Sequence, residues 1–369
     1  MSTTSVDASS ASADKLLGLE LVRFVCACAI LFWHYKHFAF VPAGSFPLDN
    51  SRQPFYTIFR LAYDHGFYGV QIFWCISGYI FFWKYSVAIA ERRLSFGTFL
   101  ILRFSRLYPL HVATLFLVLA MQFLYFHSHG YYFVYQFNDV KHFAAQLLLA
   151  SSWGLTDGDS FNGPIWSISV EVLVYLMFFL VLRAFGYKSI VTVAILVLSV
   201  AATLLNFSST IIECIAFFYM GGLSASARLM FERISRASRW RVPIAIALIM
   251  VLPVAVLGAR FYFYRHFTFC ALLGCSGVLL AVLARNYRLA PAMRRVIEAA
   301  GNMTYSSYLM HFPIQLAIVL LFHYFGKSIP YYSDIFFGLY MAMILSIAYF
   351  VYRFIERPAQ TLIRQQFLR

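Results

Sequence analysis

Ten apolar runs dominate the chain, at residues 17–40, 66–85, 99–126, 165–184, 189–206, 210–228, 242–260, 267–284, 303–325 and 334–354. Each approaches the ~20 residues that an α-helix needs to cross about 30 Å of hydrocarbon. The pattern predicts an all-α, polytopic integral membrane protein of about ten transmembrane helices. An eleventh stretch, residues 142–154 (HFAAQLLLASSWG), has only about a dozen suitable residues. It is read as a short re-entrant or interfacial helix at the outer face.

Charge supports that choice. If residues 142–154 do not cross and the N-terminus lies inside, 22 of the 29 Lys and Arg fall on the inner side, as positive-inside topology requires. If they do cross, every later loop inverts and the bias largely vanishes. Both termini of this multi-pass membrane protein are therefore expected in the cytoplasm. The balance of 62% hydrophobic and 12% charged residues excludes a soluble enzyme and a disordered chain. The formal charge of +14 then reads as loops facing anionic membrane lipids, with no nucleic-acid partner.

No repeat interrupts the pattern, so residues 16–362 are expected to form one transmembrane domain. A disordered cytoplasmic tail (1–15) precedes it and a basic cytoplasmic tail (363–369) follows. The polar start has two Asp and no Lys or Arg through residue 14, unlike a cleaved signal. The six cysteines all lie in apolar stretches and are read as core packing. Outer residues 41–65, 127–141 and 155–164 are the long connections where an external ligand would be recognised.

Ionisable side chains inside hydrocarbon are expensive unless paired or hydrated, so each is a candidate functional group. Arg23 and His34 in the first run are eleven positions apart, three helical turns, which puts them on one face ~16 Å apart along the axis. Glu20 is one turn from Arg23 and can pair with it. Alone, Arg23 reads equally as a snorkelling anchor and His34 as a packed histidine. Together they suit a cation that holds phosphate and a base that takes a proton. Ser77, Gly66, Gly69 and Gly78 mark close helix packing or a thin channel for a substrate arm. Arg103 and Arg106 form either an inner-face anchor or a phosphate clamp.

Glu171 lies within the membrane, as a structural ion-pair member or a catalytic acid. Tyr305, Tyr308 and His311 share a helical stripe, and the last two join His34 and Glu171 as candidate catalytic groups. In FIERPAQ, Pro358 is expected to end the last helix. Asp157 and Asp159 read as solvated loop acids. His34 with His37, and His127 with His129, do not make a multi-histidine metal box, so no metal is expected.

The order of motifs carries a resemblance. Arg23 followed by ten residues and His34, then GFYGVQIFWCISGYIFF, RFSRLYP, GPIWSISVEVLVY, MTYSSYLMHFP and the terminal ERP is similar to the acyltransferase-3 family of bacterial membrane acyltransferases, the O-antigen and Nod-factor O-acetyltransferase type. The likeness covers residues 16 to about 362. Trp74, Cys75 and a final SGY, where SGF is frequent, are mild departures.

The resemblance implies transfer of an acyl group, commonly acetyl from acetyl-CoA or another acyl-CoA, to a hydroxyl of a surface or exported carbohydrate such as lipopolysaccharide, lipid-linked or free. It implies His34 as the essential base or acyl relay, Arg23, Arg103 and Arg106 as the matching family arginines, and a place in the bacterial inner (cytoplasmic) membrane. The spacing of the charges suits a coenzyme with its phosphates on these arginines and its thin arm beside Ser77 and Gly78. Glu171 or Tyr308 would orient the imidazole or protonate the leaving thiolate. The hydrolase-like extracytoplasmic domain fused in some members is not seen in the sequence, which leaves room for a separate partner. The rival reading is a secondary transporter or exporter of a lipid-linked sugar, using the buried ions as a proton path.

Overall fold

The computed structural model describes residues 16–42, 46–207, 209–234, 264–284, 287 and 289–368. The expected tail at 1–15 and the expected span at 242–260 lie outside the described residues. Thirteen α-helices follow in chain order among the described residues: α1 (Leu17–His34), α2 (Tyr56–His65), α3 (Gly69–Ala90), α4 (Phe96–His129), α5 (Val140–Leu147), α6 (Ile165–Phe185), α7 (Ser189–Leu204), α8 (Thr210–Ile234), α9 (Tyr264–Leu283), α10 (Pro291–Asn302), α11 (Thr304–Tyr324), α12 (Asp334–Val351) and α13 (Arg357–Phe367). Among the described residues eight helical stretches are long and apolar enough to cross a membrane, and the chain is a polytopic helical membrane protein.

The expected spans meet these helices with informative differences. Residues 66–85 belong to a longer stretch, Tyr56–Ala90, because α2 leads into α3 through a single 3-10 turn at Gly66–Tyr68. Residues 189–206 form a 16-residue helix, ~24 Å long. Helix α5 has eight residues, ~12 Å, and is followed by turns, so this segment does not cross. Helix α4 runs for 34 residues, ~51 Å, straight through Pro109. Gly130 stops it in the left-handed conformation (φ 77°), with its N–H on the Phe126 carbonyl.

Pro358 does not end the last helix. A π-turn at Tyr352–Glu356 carries the chain directly into α13, with the proline in its first turn. The π-turn rotates Glu356 inward, to 4% exposure. Cysteines 26, 75 and 214 are packed in the core as expected, but Cys270 is exposed on α9.

The central packing joins α3 to α8, with α6 and α1 against them, around aromatic side chains such as Phe81 stacked on Tyr175 at 4.0 Å. Gly78 and Gly221 make the close approach of α3 and α8 possible: a Cβ on Gly78 would strike the Phe218 carbonyl, and one on Gly221 the Cys75 carbonyl. Backbone atoms cannot swing aside as a flexible side chain can. Gly78→Ala is therefore expected to destabilise the bundle by about 1–3 kcal/mol. The check is thermal unfolding in detergent beside Gly97→Ala, whose added methyl meets nothing within 4 Å. Equal midpoints for the two variants would remove this account of the contact.

Candidate functional site

Five helices enclose a cavity of about 860 Å³, open mouth included. Arg23 comes from α1, Ser77 and Trp74 from α3, Arg103 and Arg106 from α4, Ser167, Glu171 and Tyr175 from α6, and Thr304, Tyr305 and Tyr308 from α11. Three of the four charged residues in this wall are arginines. Charges exposed to such a low-dielectric space act more strongly than they would in water.

Each arginine is held differently. Arg23, 9% exposed, places Nη1 3.1 Å from Glu20 Oε2 and donates through Nη2 to Thr304 Oγ1 at 3.0 Å. The pairing with Glu20 one turn earlier is the one the sequence spacing allowed. Gly301 makes room for it, since any Cβ there would collide with the Glu20 side chain. Arg103 donates to the Tyr85 hydroxyl and lies over the Phe81 and Tyr85 rings, 4.7 Å from each centroid, a cation–π arrangement. Arg106 faces the cavity in the field of Glu356, Glu20 and Glu171.

The acids lie around these cations. Glu171 accepts from the Tyr175 hydroxyl at 2.5 Å. Glu356 accepts from Ser306 Oγ at 2.6 Å, on the neighbouring turn of α11. Helix α13 braces α4 beside the arginine pair, where Arg364 donates to Ser105 Oγ at 3.1 Å and to the Leu102 carbonyl at 3.3 Å.

At its far end the cavity meets Tyr308. Its hydroxyl lies 2.8 Å from both the Pro164 carbonyl and Ser167 Oγ, bridging α11 to the start of α6. One turn beyond Tyr308 lies a cluster of three imidazoles that does not line the cavity. The His34 ring is 4.8 Å from that of His311 and 5.0 Å from that of His37. The Tyr308 and His311 rings are 5.8 Å apart, so Tyr308 separates cavity from cluster.

Hydrogen bonds fix the tautomer of each ring. His34 Nδ1 is 2.9 Å from the Ile30 carbonyl and His311 Nδ1 is 2.6 Å from the Tyr308 carbonyl. A carbonyl only accepts, so each neutral ring carries its proton on Nδ1 and leaves Nε2 as a lone pair. Gln315 Nε2 donates to the His34 carbonyl at 2.8 Å, which turns Oε1 toward His37 Nδ1 at 3.0 Å. His37 therefore has the same tautomer. His311 and Gln315 are fully buried.

The structure thus divides the expected residues into two groups. Arg23, Arg103, Arg106, Ser77, Glu171 and Tyr308 share the cavity, and His34 joins His311 in the cluster beyond it. Gly78 does not line the cavity, because it is spent on the contact with α8. Gly66 and Gly69 likewise pack against α1.

Residues absent from the expected site are His37, Gln315, Ser167, Thr304 and Glu356. Gln315 carried a signal, since it extends the stripe of Tyr308 and His311 by one more turn of an apolar helix. Asp157 and Asp159 stay on their loop, where the Asp157 carbonyl bonds His142. Among the described residues no group of three or more His, Cys, Asp or Glu is arranged to hold a metal ion.

Fold and site define a membrane-embedded helical protein with a cationic internal cavity that leads toward buried imidazoles. A family model described as an acyltransferase domain matches residues 16–353, and the chain belongs to this acyltransferase-3 family. No curated protein and no solved structure matches the chain. Family membership favours an acyltransferase over a transporter.

Proposed function

We propose that the protein moves an acyl group, acetyl in the simplest case, from cytosolic acyl-CoA to a hydroxyl of a surface or exported carbohydrate. The observation that carries this reading is the cavity with Arg23, Arg103 and Arg106 in its wall and Tyr308 among its lining, the tyrosine packing on His311, which in turn packs on His34. Guanidinium groups suit the coenzyme phosphates through charge-assisted bonds. The thin pantetheine arm would run between α3, α6 and α11 toward Tyr308, which has to yield for the thioester to reach His34.

His34 Nε2 is the base in this scheme, taking the acceptor's proton or attacking the thioester first as an acyl relay. Glu171 and Tyr308 lie along the path and are assigned to the thioester end, where an acid can protonate the departing sulfur. The charge bias supports cytoplasmic termini, and the family supports a bacterial inner-membrane location. The acceptor would arrive across the opposite face, between the loops that precede α2, α5 and α6.

The direct test incubates purified protein with labelled acetyl-CoA and a glycan fraction from the source membranes, and analyses the glycan by mass spectrometry. The expected result is a glycan carrying one added acyl mass; protein-dependent glycan movement without modification would refute the proposal. The coenzyme assignment has its own test. Arg106→Ala should weaken acetyl-CoA binding about tenfold to a hundredfold, the range for losing a charged hydrogen bond. Acetyl-pantetheine, which lacks the nucleotide phosphates, should bind both proteins alike in calorimetry. An equal loss for both donors would remove the phosphate clamp.

A further inference from the structure

His34 lacks the usual support of a catalytic histidine. Among the described residues no carboxylate hydrogen-bonds to any of the three imidazoles; their Nδ1 atoms are taken by Ile30, Gln315 and Tyr308. An imidazolium formed on His34 would be a half-buried cation without a carboxylate counter-ion, which is costly unless it donates a hydrogen bond. The ring beside it is His311, fully buried, whose Nε2 has no hydrogen-bond partner. A buried polar atom left in that state calls for an explanation.

Tautomers supply one. With both Nδ1 atoms protonated, the two Nε2 atoms are lone pairs, and two lone pairs cannot bond each other. A single added proton changes this, because either ring then donates to the other. We propose that His311 is the partner that holds the proton His34 takes up, the two rings sharing it between their Nε2 atoms while the ester forms. The inference rests on the acyl-transfer reading and adds to it the group that stabilises the charged base.

The step balances. The acceptor hydroxyl gives its proton to His34 Nε2 and its oxygen electron pair makes the new C–O bond. The C–S bond breaks and its electron pair leaves with sulfur. The acid at the thioester end, Glu171 or Tyr308, gives its proton to the thiolate and takes the shared proton in return, so both rings return to neutral.

Several other ionisable groups surround the pair. His37 and Lys36 belong to the turn after α1, and Lys36 Nζ lies 3.3 Å over the Trp33 ring. Tyr308 is on the same helix as His311, and Tyr135 approaches His37 from the loop before α5. Glu171 of α6 and Asp159 of the loop before α6 act on Tyr308. Lys36 and His37 disfavour a second positive charge, so the pair takes one proton at a time.

The test uses full-length protein in lipid nanodiscs and follows thiol release from acetyl-CoA, with either the glycan fraction or hydroxylamine as acceptor. Hydroxylamine attacks as a neutral amine and does not rely on a base. His311→Leu is expected to lower kcat toward the glycan about tenfold to a hundredfold, within the range for general-base contributions. Losing the partner makes the His34 imidazolium less stable, so the acid limb of the kcat–pH profile should move to lower pH. Acetyl-CoA affinity and the hydroxylamine rate should stay within about twofold of wild type. His311→Gln, which keeps an accepting oxygen, should retain more of the glycan rate than leucine does.

An equal loss with both acceptors, or an unmoved acid limb, would overturn the proposal in favour of simple packing. If the leucine variant does not fold, His311→Met, which fills a similar volume with only a weakly accepting sulfur, decides: a displaced acid limb supports the pair and an unmoved one refutes it. Wild-type protein that releases thiol to neither acceptor would sink the acyl-transfer reading itself, an outcome distinct from normal wild-type turnover with unaffected His311 variants.

Discussion

Replacing His34 with alanine is expected to reduce acyl transfer by about 10²–10⁴-fold, the usual contribution of a positioned general base. The fold should survive, because the hydrogen bond that ties this residue to α11 is made by its backbone: Gln315 donates to the His34 carbonyl, which alanine retains. Acetyl-CoA binding should also persist, since the arginines that face the cavity lie on other turns. Activity assays paired with donor binding and thermal unfolding separate these readouts. Added imidazole can enter the space left by the missing ring, and it should restore part of the rate. A stable His34→Ala protein with normal turnover would end the assignment of the base.

The second large effect falls on stability. Arg23→Ala removes the guanidinium that bonds both Glu20 and Thr304, and leaves the Glu20 carboxylate at 8% exposure. Breaking one side of a buried ion pair costs about 3–5 kcal/mol, because the remaining charge has no compensation. Thermal unfolding of Arg23→Ala should show that loss, and adding Glu20→Gln to the same protein should recover much of it. Arg106 has no such close carboxylate bond, so Arg106→Ala should weaken donor binding with a smaller effect on unfolding. If Arg23→Ala and Arg106→Ala unfold alike, the buried Arg23–Glu20 pair is not the support described here.

Much of this arrangement was legible in the chain because a membrane constrains sequence so strongly. Hydrophobic length gave the number and placement of most spans, and the scarcity of ions within them drew attention to Arg23, His34, Glu171 and the Arg103–Arg106 pair. Helical periodicity was enough to put Glu20 beside Arg23. It was not enough to show which helices meet. That His34 lies against His311 depends on α1 packing on α11, nearly three hundred positions later.

The misses have the same origin. Gly78 reads the same whether it opens a channel or lets two backbones touch, and only the position of Phe218 decides. Glu356 looked like part of a helix stop because a proline two positions later usually ends a helix. The π-turn that carries the chain past it has no sequence signature as plain as a glycine or proline.

The cavity draws its walls from α1 and α11 as well as the helices between them, which bears on how the protein is made. Thr304 and Gln315, the partners of Arg23 and His37, are synthesised 281 and 278 residues after them. At about 5–20 residues per second, that delay is roughly fifteen to sixty seconds. Throughout that interval α1 and the turn after it stand in the bilayer with a guanidinium and two imidazoles lacking their final contacts. Glu20, arriving three residues ahead of Arg23, lets the nascent first helix carry its cation as a self-contained pair until the eleventh helix reaches it.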